Sequence, residues 1–97
     1  MAEADLRELY DYIAREAGDT IAGNYIDRIE AACMSLETSP QRGTKRDNIR
    51  PGIRTMGFER RATIVFRVLK SEVLIVRIFY GGQDYERALR AYPNEDS

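Results

Sequence analysis

Arginine and tyrosine are the residues whose types and spacing bear most directly on chemistry in this chain. Arg60, Arg61, Arg67 and Arg77 lie in its second half, with Tyr80 and Tyr85 close behind. Cleavage of RNA through its 2′-hydroxyl needs a base, an acid and a stabiliser for the charge that builds on phosphorus. Arginines supply the last and a tyrosine can donate a proton, so a nuclease built here would use Arg61, Arg67, Arg77, Tyr80 and Tyr85. Against that reading, the chain has no histidine, the commonest general base, and only Glu59 and Glu72, both at turns, offer carboxylates near these arginines. The same guanidinium groups suit recognition without catalysis, because they pair bidentately with carboxylates and phosphates. A plain alternative is that they solvate one face of a sheet.

Other chemistries have less support. Asp5, Glu8 and Asp11 stand at helical spacing, a pattern that suggests a carboxylate metal site but is commoner on the solvated side of a helix. The single cysteine, Cys33, excludes an internal disulfide and falls in an apolar stripe, where a small buried hydrophobe is expected. No phosphate-loop or dinucleotide pattern surrounds Gly81 and Gly82, which read as the means of a sharp turn. The expectation is no cofactor and no metal.

The elements that must position these residues follow from periodicity. With 97 residues, 43% hydrophobic and 32% charged, the chain is expected to form one domain over 1–97. Apolar runs of at most four residues and an acidic start argue against a membrane span or secretory leader, and point to a cytoplasmic protein. Leu6, Leu9, Tyr10, Ile13 and Ala17 predict one amphipathic helix; Ala22, Tyr25, Ile29, Ala32, Cys33 and Leu36 predict a second. Gly18 ends the first, Asp19 or Thr20 caps the next, and Pro40 closes it, giving an antiparallel helical hairpin over 3–37.

Residues 40–52, with Pro40, Gly43, Pro51 and Gly52 among Arg42, Lys45, Arg46 and Arg50, read as a basic surface loop. Over 53–80 the period becomes two. Ile64, Phe66 and Val68 share one face, as do Leu74, Val76, Ile78 and Tyr80, while Gly57 marks a possible bulge. The result is an α+β fold, the hairpin lying on one face of a small antiparallel sheet of three strands or slightly more. The other face is expected to present Arg67 and Arg77, and residues 81–97 form a tail or short helix. Charge follows the same division: −6 over residues 1–39, +7 over 40–77 and −2 over 78–97. Thirteen of the fifteen basic residues are arginine, which makes the middle segment a candidate surface for an acidic partner. Tyr10 and Tyr25 lie on the apolar stripes as core residues; Tyr12 lies off its stripe and is free to anchor a partner.

The order of parts resembles the RelE/ParE toxin superfamily, and its ParE branch more closely. The likeness rests on ADLRELYDYIA at 4–14, YIDRIEAACMSLETSPQRG at 25–43, KRDNIRPGIR at 45–54, IVFRV at 64–68 and VLIVRIFYGGQDYE at 73–86. It implies the toxin half of a type II toxin–antitoxin module, wrapped and neutralised by a cognate ParD-like antitoxin in a hetero-oligomer. ParE-like members inhibit DNA gyrase and trap it on cleaved DNA, without chemistry of their own. RelE-like members cleave messenger RNA on the ribosome, and a non-toxic relic that still binds antitoxin is a further reading. Partner-binding candidates under this resemblance are Tyr12, Arg50, Arg54, Arg60, Arg61, Arg67, Arg77, Asp84 and Tyr85, facing an acidic antitoxin segment. Sequence-specific DNA binding is not expected of this chain. Relatives usually open with a strand before the first helix; here Ala2 to Leu6 already belong to that helix, so an exposed sheet edge is expected. Tyr80 and Gln83 stand where relatives often carry His and Arg.

Overall fold

The computed structural model describes residues 2–70, 72–81 and 85–91. Helix α1 spans Ala2–Ala17 and α2 spans Asp19–Thr38, with Gly18 as their whole connection. Gly18 has φ 97°, a region that costs any residue with a Cβ, and it serves both helices. Its N–H donates to the Ala14 carbonyl at 2.9 Å, and its own carbonyl accepts from the Ala22 N–H at 3.1 Å. The expected side-chain cap is absent: Asp19 is instead the first residue of α2, where its carboxylate meets the positive end of the helix. Leu9 and Ile13 of α1, and Ala22, Tyr25, Ile29 and Leu36 of α2, are buried, as the two stripes predict.

The sheet has four strands in the order β1-β2-β3-β4, every pair antiparallel: β1 (Thr44–Lys45), β2 (Ile53–Phe58), β3 (Ala62–Val68) and β4 (Val73–Tyr80). A two-residue strand therefore interrupts the segment read as pure loop. Gly43, just before it, approaches so closely that a Cβ there would lie 2.4 Å from Cζ of the Phe66 ring. The basic segment is thus fastened over the fully buried Phe66. No further strand pairs with the outer edge of β4 among the described residues.

Two expectations about the strands need correction. β2 runs through Gly57 in unbroken register, and the irregularity lies in β4. Val65 faces Arg77 while Phe66 faces Ile75, leaving Val76 as the extra residue. That residue switches the alternation midway. Val73 and Ile75 join Ile78 and Tyr80 on the helical side, Val76 moves to the opposite side, and Leu74 is half exposed. A strict period of two cannot anticipate this, because a bulge is set by cross-strand pairing.

The second correction concerns the face expected to be open. Helix α3 (Tyr85–Ala91) places Leu89 against Ile53, Val65 and Phe79, with Ile49, Val76 and Ala88 around them. Both sheet faces therefore carry a core. The larger one unites Leu9, Ile13, Ile29, Leu36, Ile64, Phe66 and Ile78 beneath the hairpin.

Candidate functional site

At one end of the sheet, the turn joining β2 to β3 meets the first turns of α2. Glu59 and Arg60 both take the left-handed region, with φ 50° and 60°, and the Arg61 N–H closes the turn on the Phe58 carbonyl at 3.1 Å. Such turns favour Asn and Gly, so two long side chains here store strain of roughly 1–2 kcal/mol each. The turn is tied down from α2: Arg28 donates through Nε and a terminal nitrogen to the two Glu59 oxygens, at 2.8 and 3.1 Å. Arg61 follows directly and hydrogen-bonds to Tyr80, while its carbonyl accepts the Gly81 N–H at 2.7 Å.

Tyrosines form the floor of this corner. Tyr25 meets Phe58 and Tyr80 edge-on, with ring centroids 5.5 and 5.8 Å apart; Tyr12 packs on Tyr80 at 5.7 Å, and the Arg28 guanidinium lies over the Tyr25 ring. Tyr25 is 6% exposed, and its phenol oxygen has no hydrogen-bond partner among the described residues. Burial pushes the Tyr25 phenol up to about 12. The hydrogen bond from Arg28 holds the Glu59 carboxylate below its ordinary range.

Across Tyr12 and Tyr80 lies a second recess, lined by Asp5, Glu8, Arg77, Ile78 and Gly81. Asp5 accepts from Arg77 Nε at 2.8 Å and a terminal Arg77 nitrogen at 3.1 Å, and takes the Ile78 backbone N–H at 2.9 Å. Arg77 pairs in register with Val65 and stacks on Phe79, both on the α3 side, so its guanidinium reaches round the edge of β4 to α1. Arg77 is therefore engaged with the helical hairpin instead of being displayed on an open face. Asp5 is committed to the same contact. No group of three or more His, Cys, Asp or Glu side chains gathers to hold a metal among the described residues.

The remaining candidates are dispersed. Arg67 lies six residues along β3 from Arg61, about 20 Å of extended strand, and its guanidinium covers Gly52. Arg54 is on β2 opposite Lys45 and Phe66; Arg50 is half-buried in the turn before β2, its N–H bonded to the Arg46 carbonyl. Arg60 is exposed beside Arg61. Asp84 lies outside the described residues, and of Tyr85 only its place at the start of α3 is described. Thus Tyr12, Arg61 and Tyr80 come together, Arg77 adjoins them, Arg60 is exposed in the turn beside Arg61, and Arg50, Arg54 and Arg67 occupy the far end.

Sequence reasoning passed over Arg28 and the unsatisfied phenol of Tyr25, and named Glu59 only as a carboxylate at a turn. Arg28 and Glu59 are 31 positions apart, with no periodicity to link them. Tyr25 lies on an apolar stripe, where a core role hides its polar end. Cys33 is half-buried, and burial raises its thiol to about 11, which disfavours the nucleophilic thiolate. No helix among the described residues is long and apolar enough to cross a membrane.

Comparison with known proteins bears on the whole arrangement. The model of the ParE toxin of type II toxin–antitoxin systems (parDE) matches residues 1–85. Toxin ParE3 of Caulobacter vibrioides is 29% identical over 77 residues, spanning 79% of this chain and 76% of that protein. A solved structure described as the chromosomal ParDE TA system from P. aeruginosa aligns with a TM-score of 0.72 at 31% identity, covering 82% of this chain and 87% of that one.

Proposed function

The chain belongs to the ParE toxin family of type II toxin–antitoxin systems, and from that premise we propose a toxin that acts by binding. A cognate ParD-like antitoxin neutralises it by direct contact. When released, it arrests growth in the cytoplasm by holding DNA gyrase on cleaved DNA. The observation that carries this reading is the family match over residues 1–85. The geometry is compatible with it: Arg61 and Tyr80 adjoin, Arg77 is bound to Asp5, and Arg67 stands at the opposite end of its strand. A catalytic set for phosphodiester cleavage needs its groups around one phosphorus.

The test is incubation of the antitoxin-free, folded chain with gyrase, ATP and supercoiled plasmid, followed by denaturation. Protein-linked linear DNA is the expected product, and its absence would remove gyrase as target. The contact between Arg61 and Tyr80 favours one competing reading, a ribosome-dependent nuclease. Cleavage of translated messenger RNA that disappears in Tyr80→Phe would establish it. A chain that binds its antitoxin yet causes no growth arrest when induced alone would be a relic.

A further inference from the structure

Carboxylates are shared unevenly among the cations. Arg28 and Arg77 are held bidentately, by Glu59 and Asp5. At the far end of the sheet the pattern is different. Residues 40–56 hold five basic side chains and one acidic, and the acidic one, Asp47, accepts the Gly52 N–H of its own turn at 2.9 Å. Lys45 and Arg54 stand directly opposite one another on β1 and β2, an arrangement that like charges disfavour. The neighbouring rung brings in two more cations: the Arg46 N–H donates to the Ile53 carbonyl at 2.8 Å, and Ile53 pairs in register with Arg67. Strand spacing and rise put these four backbone positions within about 10 Å of one another. Arg46 Nε donates to the Thr55 hydroxyl at 3.0 Å, which fixes the guanidinium without neutralising it. None of the four has a carboxylate within 4 Å among the described residues. Arg42 bonds to Ser35, two positions from Glu37, and is not counted with them.

We propose that the end of the sheet carrying Lys45, Arg46, Arg54 and Arg67 binds the phosphate backbone of duplex DNA without reading its sequence. Charge without apolar surface is what narrows the ligand. The large apolar side chains exposed among the described residues are Tyr12, Ile21, Met34, Val68, Leu69 and Leu74, and none falls within 40–67. A protein partner is held chiefly by buried aromatic and apolar anchors, which this stretch does not offer. A nucleic-acid backbone is held by charge and counterion release, and needs no such anchor. The lack of an exposed aromatic ring also counts against a single strand, whose bases require stacking platforms. Placement of the cations agrees with a duplex. Arg54 shares a rung with Phe66, on the helical side, whereas Arg67 follows Val65 on the α3 side. The two strands that border a DNA groove present two rows of phosphates to such a divided set, and an acidic peptide presents one row. This site goes beyond the toxin reading and does not rest on it.

The full chain is titrated into a fluorescently labelled twenty-base-pair duplex of arbitrary sequence, and anisotropy is read between about 50 and 200 mM salt. Binding with a Kd on the order of 10 μM is expected at the lowest salt, with log K falling against log salt at a slope of about −3 to −4. Lys45→Gln, Arg54→Gln and Arg67→Gln together should reduce that slope to about −1. The same variant should melt no lower than the wild type, because the opposed pair is gone. Should it fail to fold, Lys45→Gln and Arg67→Gln, both at exposed positions, each reduce the slope by about one when made singly. Arg7→Gln with Arg15→Gln removes two exposed cations from α1 and should leave affinity and slope as they were. No duplex binding at the lowest salt, a slope that the triple variant leaves unchanged, or an equal loss in the α1 variant would overturn the proposal. So would tighter binding of a twelve-residue polyglutamate, which would make this a surface for an acidic protein, or of a single strand of the same length as the duplex. Gyrase trapping is scored separately: trapping without duplex binding sinks this surface alone, and duplex binding without trapping sinks the gyrase reading alone.

Discussion

The two ends of the hairpin-covered sheet face are built to different standards. At one end Phe66 is fully buried beneath Leu36 and Ile29, with Gly43 pressed against its ring, and the packing there is apolar. At the other end Tyr25 is nearly as well buried, yet it brings a hydroxyl without a partner among the described residues, beside a turn whose two central residues are both strained. Apolar contacts are satisfied by shape alone, so the first end can be completed within the chain. Polar groups require a matching partner in a fixed direction, and the second end lacks one of its own. The contrast teaches that the Phe66 end adds apolar burial with no polar cost, while the Tyr25 end carries the cost of a sealed hydroxyl without an acceptor among the described residues.

The contrast can be broken most forcefully at Phe66. Phe66→Ala should cost about 3–5 kcal/mol by removing a fully buried ring, enough to leave a chain of this size largely unfolded in a urea titration. A loss under 1 kcal/mol would mean that this end is not the structural anchor. Next in size comes Asp5→Ala. It removes three acceptor contacts and leaves Arg77, 23% exposed, without this carboxylate; about 2–3 kcal/mol should be lost. In an Arg77→Ala background the same change should cost clearly less, and a double-mutant cycle with no coupling would refute the pairing.

The smallest effects are pH limbs that report on the Tyr25 end itself. Burial raises the Tyr25 phenol from 10.0 to about 12, so the unfolded chain ionises first. The Tyr25 contribution should be unaffected below pH 10 and fall as pH rises towards 12, by on the order of 2 kcal/mol. Cys33, raised from 9.0 to about 11, begins its own fall earlier, from about pH 9. Tyr25→Phe should flatten the upper part of this limb. Glu59 gives the opposite sign. Its carboxylate is held below 4.5 by Arg28, so its small contribution is present above pH 4.5 and lost as pH drops through the lowered value. Glu59→Gln should remove that acid limb, and chemical denaturation across pH measures both.

Legibility in the sequence followed the range of the interactions. The helical stripes, the Gly18 break, the Pro40 stop and the meander were all readable, because each is set by neighbours within a few positions. The helical hairpin on an antiparallel sheet followed from them. The bulge at Val76, the short strand Thr44–Lys45 and the covering of the second face by α3 were not readable. Register depends on the opposing strand, and Leu89 gives no sign in a seven-residue helix of which face it will meet. Of the candidate site, the tyrosines and arginines were named individually. Their sorting into two ends was hidden, as was the attachment of Arg77 to Asp5, 72 positions away.

What the sequence determined by itself was the composition of each element and the order in which elements occur. Local periodicity and backbone propensity are properties of consecutive residues, and the family resemblance is carried by that same order. Tertiary structure alone decided which charges neutralise one another and which polar group is left over. It joined Arg28 to Glu59 and Arg77 to Asp5, and it buried the hydroxyl of Tyr25 without giving it an acceptor among the described residues. Hydrogen bonds and ion pairs act over a few ångströms between residues distant in the chain, and only the fold sets those distances.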